Sequence, residues 1–228
     1  MPRPTRISLA GLVYHIINRG NNRQDVFKDE EDFLTYLKAI KRFKEKYSFK
    51  LYGYCLMDNH THLVIEPTKT ATLSKIIQSI TLSHIRLYHS KYSSSGHLWQ
   101  GRFKSSIIQT DGYLLQCLKY IELNPLRANI VSRPEDYRWS SYRFHAFGKD
   151  EDKFLDKDPM YSSLANTDQD RQKAYRDFIA LQQDKDTLEL IKKSITNDYI
   201  LGSDRFINEL REKLAISQPR PRGRPKGK

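Results

Sequence analysis

Two short segments, far apart in the chain, hold side chains that together could cleave a phosphodiester. His60 and His62 are separated by one residue, so in a strand both point to the same face and can bind one metal ion. Tyr120 and Asn124 are four residues apart, which on a helix puts them on one side, about one turn apart. Two imidazoles and an amide oxygen would hold an ion and leave positions open for phosphate oxygens. We therefore take His60, His62 and Asn124 as candidate ligands and Tyr120 as the candidate nucleophile.

Each half of this pattern has a simpler interpretation. Paired histidines on a strand are commonly buried and hydrogen-bonded, and a helical tyrosine commonly packs in a core. Histidine-triad nucleotide hydrolases share the alternation but continue it to a third histidine, where this chain has Val64. That difference argues against a phosphohydrolase of small nucleotides.

The metal matters because a free phenol, with a pKa of about 10, is a weak nucleophile at neutral pH. An ion on the scissile phosphate would stabilise the transition state and orient the leaving 3′ oxygen. Attack by Tyr120 would give a 5′-phosphotyrosine and a free 3′-hydroxyl, and the retained ester would allow rejoining without a nucleotide cofactor. We expect Mg²⁺ or Mn²⁺ to serve, because imidazole also suits Mn²⁺.

Charge points to a nucleic-acid partner. The net charge is +12; residues 151–215 carry eleven basic and fourteen acidic side chains, and residues 216–228 carry five basic ones and no acid. Residues 1–150, with 23 basic and 13 acidic side chains, therefore hold the remaining +10. Neutralised phosphates release counterions, and the fourteen tyrosines can stack on bases. The alternative is a basic protein with no such partner.

Two further features bear on location. No segment approaches the roughly 20 apolar residues of a membrane span, and the first residues lack the apolar run of a signal peptide. We expect a cytoplasmic protein without a membrane partner. Cys55 and Cys117 stand alone, which favours reduced core residues.

Periodicity predicts an α+β domain. The expected order is β, α, β, β, α, β, α, which is typical of a ferredoxin-like antiparallel sheet with helices on one face and the histidine strand central. The predicted elements are strand 12–18, helix 29–47, strands 51–57 and 60–66, helix 73–87, strand 98–109 and a helix from Asp111 to about Asn124. We place this domain at residues 1–147, a linker and small helical module at 148–215, and a basic tail at 216–228.

Several basic residues are candidate DNA contacts. Arg102 and Lys104 flank Phe103 on the expected fourth strand, where Trp99 is expected to pack in the core. Arg127 should lie near the site. The tail resembles an AT-hook, whose arginines enter an A/T-rich minor groove, and a generic basic tail is the alternative. The full set of predicted DNA-binding residues is Arg19, Arg102, Lys104, Arg127, Arg222 and Arg224.

An ordered set of motifs resembles the HUH single-tyrosine transposases, and most closely their REP-associated tyrosine transposase branch. The motifs span about residues 3–147 and comprise Tyr14-His15-Ile16, Asn18-Arg19-Gly20-Asn21, Asn59-His60-Thr61-His62, Leu98-Trp99-Gln100-Gly101-Arg102-Phe103, Tyr120-Ile121-Glu122-Leu123-Asn124-Pro125 and Trp139-Ser140-Ser141-Tyr142. The resemblance implies an HUH endonuclease fold that cuts and rejoins single-stranded DNA beside hairpins such as REP repeats.

Carried over to this chain, the resemblance makes His60, His62 and Asn124 the metal ligands and Tyr120 the nucleophile. Two departures are Thr61, where a bulky apolar residue is usual, and Asn124, where related enzymes often have glutamine. The expected function is a metal-dependent DNA transposase or strand transferase. The alternative is a domesticated, non-catalytic protein that binds DNA repeats or regulates. A homodimer, with Tyr120 acting in cis or in trans, is left open.

Overall fold

Five strands form one sheet in the computed structural model, which describes residues 8–150, 153–198 and 200–214. The strands are β1 Val13–Arg19, β2 Lys50–Met57, β3 His60–Glu66, β4 Lys104–Ile108 and β5 Ile200–Leu201. Their order across the sheet is β2-β3-β1-β4-β5. The first four pair antiparallel, and β5 is parallel to β4. The histidine strand β3 is therefore interior, as the sequence predicts.

Most helices begin at a side-chain cap. The helices are α1 Glu30–Tyr47, α2 Leu73–Tyr92, α3 Gly112–Glu122, α4 Asn124–Arg127, α5 Tyr142–Phe147, α6 Pro159–Ser162, α7 Asp168–Ala180, α8 Lys185–Lys193 and α9 Asp204–Lys213. Asp29, Thr72 and Asp111 each accept a hydrogen bond from a backbone N–H in the first turn of α1, α2 and α3. These caps explain why the predicted helix starts agree closely with the structure.

The sheet buries both of its faces. On one face, Tyr14, Ile16 and Leu63 pack with the apolar sides of α1 and α2. On the other, Val13 and Val64 pack with α3. The α+β ferredoxin-like fold is confirmed, with α1 and α2 together on one face. The helix that carries Tyr120 lies against the opposite face.

The fourth strand is shorter than the sequence predicts. Residues 98–103 form a turn, in which Gly101 has a φ of +67° and Gln100 N–H donates to Arg19 carbonyl at 2.8 Å. The left-handed conformation of Gly101 and the hydrogen bond from Gln100 to β1 replace the regular strand pairing that the sequence predicts here. Trp99 is buried, as expected for core packing. Cys55 and Cys117 are buried and unpaired, also as predicted.

The second half of the chain returns to the sheet. The segment around Ser141 pairs with the free edge of β2, through Leu56 N–H to the Trp139 carbonyl at 2.9 Å and Ser141 N–H to the Tyr54 carbonyl at 2.9 Å. Residues 148–215, where the sequence predicts a small helical module, contain α6, α7, α8 and α9. β5, which was not predicted, extends the sheet beyond β4. The predicted domain boundaries stay predictions, and tail residues Arg222 and Arg224 lie outside the described part of the chain.

No helix in the described residues is long and apolar enough to cross a membrane.

Candidate active site

β3 presents its two histidines on the face that α3 covers. The rings of His60 and His62 have centroids 5.0 Å apart and planes at 78°. His60 is half-buried and His62 is 2% exposed. Two imidazoles two residues apart on one strand face can therefore point at a shared position, as the spacing predicts.

The hydrogen bond of His60 fixes which ring nitrogen is free. Its Nδ1 lies 2.7 Å from Oδ1 of Asn59, and that oxygen can only accept, so Nδ1 carries the proton. Nε2 then keeps its lone pair. Burial, with the nearby charge of Arg19, lowers the pKa of His60 to about 4. The ring is thus neutral at physiological pH, as a metal ligand must be.

A third histidine, His15, supports His62 from the neighbouring strand β1. His15 Nε2 is 2.9 Å from His62 Nδ1, and the two rings stack with centroids 5.2 Å apart. Burial lowers the pKa of His15 to about 3, and burial, followed by the repulsion that His15 and His60 exert when protonated, lowers the pKa of His62 well below its ordinary value. A neutral pair joined this way fixes the ring orientation of His62. The sequence analysis gave His15 no role in the site, although Tyr14-His15-Ile16 is one of the motifs that carry the family resemblance.

Tyr120 and Asn124 converge on His62. Asn124 Nδ2 lies 2.8 Å from His62 Nε2. The Tyr120 ring stands edge-on to His62, with centroids 5.9 Å apart, and 6.1 Å from His15. All four predicted residues meet in one chain, so Tyr120 lies beside the histidines of its own subunit. Their chemical roles stay predictions.

Arg127 packs against the phenol of Tyr120. Its guanidinium lies 4.6 Å from the centre of the Tyr120 ring and donates to the Tyr120 carbonyl. Burial raises the pKa of Tyr120, and the positive charge of Arg127 opposes that shift. An exposed guanidinium beside a phenol can also pair with a phosphate brought to the same position.

The donor set fits a divalent cation that accepts nitrogen and oxygen. No three His, Cys, Asp or Glu side chains come together as a metal site among the described residues, so the two imidazoles need the Asn124 amide as third ligand. That amide touches His62 Nε2, and a half-turn about its last bond exchanges its nitrogen for its oxygen. Imidazole nitrogen with amide oxygen suits Mn²⁺, and Mg²⁺ less well.

The remaining candidate DNA contacts in the described part of the chain are exposed, and two of them lie on strands beside the histidines. Arg19 is opposite His60 in the β1–β3 pairing and is exposed. Lys104 is opposite Ile17, which is itself opposite His62, so Lys104 shares their sheet face and is exposed. Arg102 is exposed in the turn before β4. An arc of Arg19, Lys104 and Arg127 thus borders the histidines.

The described part of the chain thus holds a ferredoxin-like sheet whose interior strand presents two histidines to a helix-borne tyrosine. The chain belongs to the IS200-like transposase family, whose model matches residues 8–124.

Two relatives illustrate the similarity. A Haemophilus influenzae protein, provisionally named a REP-associated tyrosine transposase, is 28% identical over 115 residues, covering 46% of this chain and 65% of that protein. The chain thus matches just under two thirds of that relative's length. A solved structure of a REP-associated tyrosine transposase bound to a REP hairpin superposes with a TM-score of 0.55 at 18% identity, over 65% of this chain and 87% of that one. The second likeness shows the shared fold.

Proposed function

We propose that this protein is a tyrosine transposase that cuts and rejoins single-stranded DNA next to a hairpin. The observation that carries the proposal is the meeting of Tyr120 and Asn124 with His62 in a member of this family. A structural neighbour binds a REP hairpin, and that supports a hairpin of REP type as the substrate. The basic side chains around the site support a polyanionic strand.

Tyr120 acts as the nucleophile. Its phenolic oxygen forms a bond to the scissile phosphorus, the bond from phosphorus to the 3′ oxygen breaks, and the phenolic proton passes to solvent. The 3′ oxygen takes up a proton and leaves as a hydroxyl, while the 5′ side stays attached to Tyr120 as a phosphotyrosine diester. Reversal with a different 3′-hydroxyl joins two strands.

The other residues bind and orient. His60, His62 and the Asn124 amide would hold Mn²⁺ or Mg²⁺, which when bound supplies Lewis-acid polarisation of the scissile phosphate. Arg127 pairs with a non-bridging phosphate oxygen and keeps the Tyr120 ring in place from 4.6 Å. His15 holds His62 in one orientation through its 2.9 Å contact. Arg19 and Lys104 contact phosphates along the strand.

The decisive experiment is a denaturing gel of the protein with labelled, hairpin-bearing single-stranded DNA, in Mn²⁺ or in EDTA. The substrate is taken from the sequence that flanks the gene. We expect a protein–DNA band that needs Mn²⁺ and is absent in Tyr120→Phe, because phenylalanine keeps the ring but has no oxygen to form the ester.

The control is Tyr113→Phe, which removes a phenol from the same helix α3 and should leave the adduct unchanged. Hairpin binding by Tyr120→Phe should equal that of the wild type. Persistence of the adduct in Tyr120→Phe would move the nucleophile to another residue. Tight hairpin binding by the wild type with no adduct would instead favour a non-catalytic repeat-binding protein.

A further inference from the structure

Two ionisable side chains next to Tyr120 are buried and point away from the site. Lys119 is 2% exposed and Glu122 is 0% exposed. They are three residues apart on α3 and so share one side of the helix, while Tyr120 between them faces the histidines. Charged side chains are rarely buried unless they are paired. The groups that pair with Lys119 and Glu122 therefore indicate the structural role of these two buried side chains.

Glu122 is held by three donors from two other helices. Its Oε1 accepts from Ser141 Oγ at 2.5 Å and from His145 Nδ1 at 2.7 Å, and its Oε2 accepts from the Tyr175 hydroxyl at 2.7 Å. Ser141 and His145 belong to α5 and its N-terminus, and Tyr175 to α7. All three are essentially inaccessible to solvent. Both carboxylate oxygens are thus fixed.

Lys119 is held by the C-terminal end of α7. Its Nζ donates to the carbonyls of Phe178 at 2.7 Å and Leu181 at 2.6 Å, and lies 4.7 Å from the centre of the Phe178 ring. The last carbonyls of a helix have no partner within the helix and form the negative end of its dipole. An ammonium group fits there without a carboxylate.

We propose that α5 and α7 form a clamp that sets the rotation of the tyrosine helix, with Lys119 and Glu122 as positioning residues for Tyr120. The role of the Tyr120 phenol rests on the function proposed above, whereas the contacts of the clamp are independent of that function. Two anchors three residues apart on one side of α3 add directional resistance to rotation of the helix about its axis, which the non-directional apolar contacts of α3 do not supply. The clamp residues, 141–181, lie beyond the segment 8–124 matched by the family model.

The geometry makes a small rotation costly. A side-chain tip about 6 Å from a helix axis moves by about 1 Å when the helix turns by about 10°. A misplacement of about 1 Å can lower a reaction rate by about 10²-fold. Loss of one anchor should therefore slow attack by Tyr120 while the ligands on β3 keep their positions.

The test compares Lys119→Met with Lys119→Arg in the full chain. Methionine keeps an unbranched chain without the donors, and arginine restores donors for both carbonyls. Lys173→Met is the matched control, because Lys173 is exposed on α7. The first readout is amide hydrogen exchange of α3, relative to β1 and β3, in protein without DNA. The second is the single-turnover rate of adduct formation with saturating DNA and Mn²⁺, measured together with the dissociation constant for DNA.

We expect faster exchange in α3 alone, and a rate lower by about 10²-fold, in Lys119→Met, with the dissociation constant for DNA unchanged. Lys119→Arg should recover most of the rate, and Lys173→Met should match the wild type. Unchanged exchange in α3, or an unchanged rate, would overturn the clamp; so would a loss of rate that arginine does not rescue.

Two provisions keep the outcomes distinct. If Lys119→Met does not fold, Tyr175→Phe, which removes one hydroxyl from Glu122, is judged by the same readouts. If the wild type forms no adduct, the proposed function fails, and the clamp stands or falls on hydrogen exchange: selective loosening of α3 supports it, and uniform exchange overturns it.

Discussion

His15 shows what a single residue adds to the site. The spacing of His60 and His62, and that of Tyr120 and Asn124, was readable from the sequence because it depends only on the period of a strand and of a helix. The contact of His15 with His62 at 2.9 Å depends on how β1 pairs with β3, in which His15 lies opposite Val64. Register follows from the whole sheet, so no local pattern indicated this partner.

Replacing His15 should weaken metal binding. In His15→Phe a ring remains to stack on His62, but the Nδ1 of His62 loses its partner and the ligand ring is free to turn. Loss of such an outer partner typically lowers metal affinity by about 10- to 100-fold. Titration of Mn²⁺ by electron paramagnetic resonance, without DNA, measures the change.

The matched control is His84→Phe. His84 is also buried, but it belongs to α2 and packs with Phe27 and Tyr36 on the other face of the sheet. We expect His84→Phe to reduce the stability of the protein and to leave its affinity for Mn²⁺ unchanged. Equal affinities for His15→Phe and the wild type would show that His62 binds without this support.

At the level of elements, a glycine on β2 lets the tyrosine helix approach the sheet. A Cβ on Gly53 would lie 2.4 Å from Leu118 Cδ2 on α3 and 3.0 Å from Ser141 Oγ. The β2–β3 register also shifts between Leu51 and Gly53. The sequence predicted β2, β3 and their hairpin. A glycine inside a strand pattern, however, does not indicate which helix packs against it.

We expect Gly53→Ala to destabilise the protein by about 1–3 kcal/mol, as overpacking of a closed core does. Gly112→Ala is the control, because a Cβ at that position would meet nothing within 4 Å and Gly112 begins α3. Alanine there should be neutral or stabilise by up to about 1 kcal/mol. Urea unfolding of both variants gives the two free energies; a Gly53→Ala as stable as the wild type would mean that Leu118 repacks freely.

Over the whole molecule, the sequence predicted one half better than the other. The helices up to Glu122 were predicted because each has a clear period and a capping residue, and the strands because their residue types and turns mark them. The return of the chain to the sheet at β5 was not predicted. β5 has only two residues, Ile200–Leu201, and pairs with a strand about ninety positions earlier. The buried cluster around Glu122 was not predicted either, because it joins α3, α5 and α7, which are far apart in the sequence.

This cluster should give the protein a stability that falls as pH rises above neutrality. Burial lowers the pKa of His145, but the Glu122 carboxylate 2.7 Å away raises it, and the net shift is upward from 6.5. A histidine with a raised folded pKa contributes its full stability below its unfolded pKa of about 6.5 and loses it as pH rises through the folded value. The pKa values of His15, His60, His62 and His84 are all lowered. These four histidines therefore change the free energy of unfolding only below pH about 6.5.

The other groups that face His145 do not mask the effect. Burial raises the pKa of Tyr161 to about 12 and the pKa of Tyr175 well above its ordinary value, so both phenols stay neutral. Burial also raises the pKa of Asp158, so ionisation of that carboxyl, like deprotonation of His145, lowers the stability of the protein as pH rises. We expect the free energy of unfolding to fall between pH about 6.5 and about 9, by about 1.4 kcal/mol for each unit by which the folded pKa of His145 exceeds the unfolded one.

Urea unfolding at several pH values tests this in the wild type and in His145→Gln, which keeps a donor for Glu122 but cannot titrate. The variant should be less stable at pH about 6.5 and should lose less stability on going to pH about 9, so that the two curves converge. His97→Gln is the control, because His97 is exposed, and its curve should follow the wild type. Parallel curves for the wild type and His145→Gln would mean that His145 does not lose a stabilising proton in this range, and that the cluster joining the tyrosine helix to α5 and α7 holds through hydrogen bonds without an ion pair.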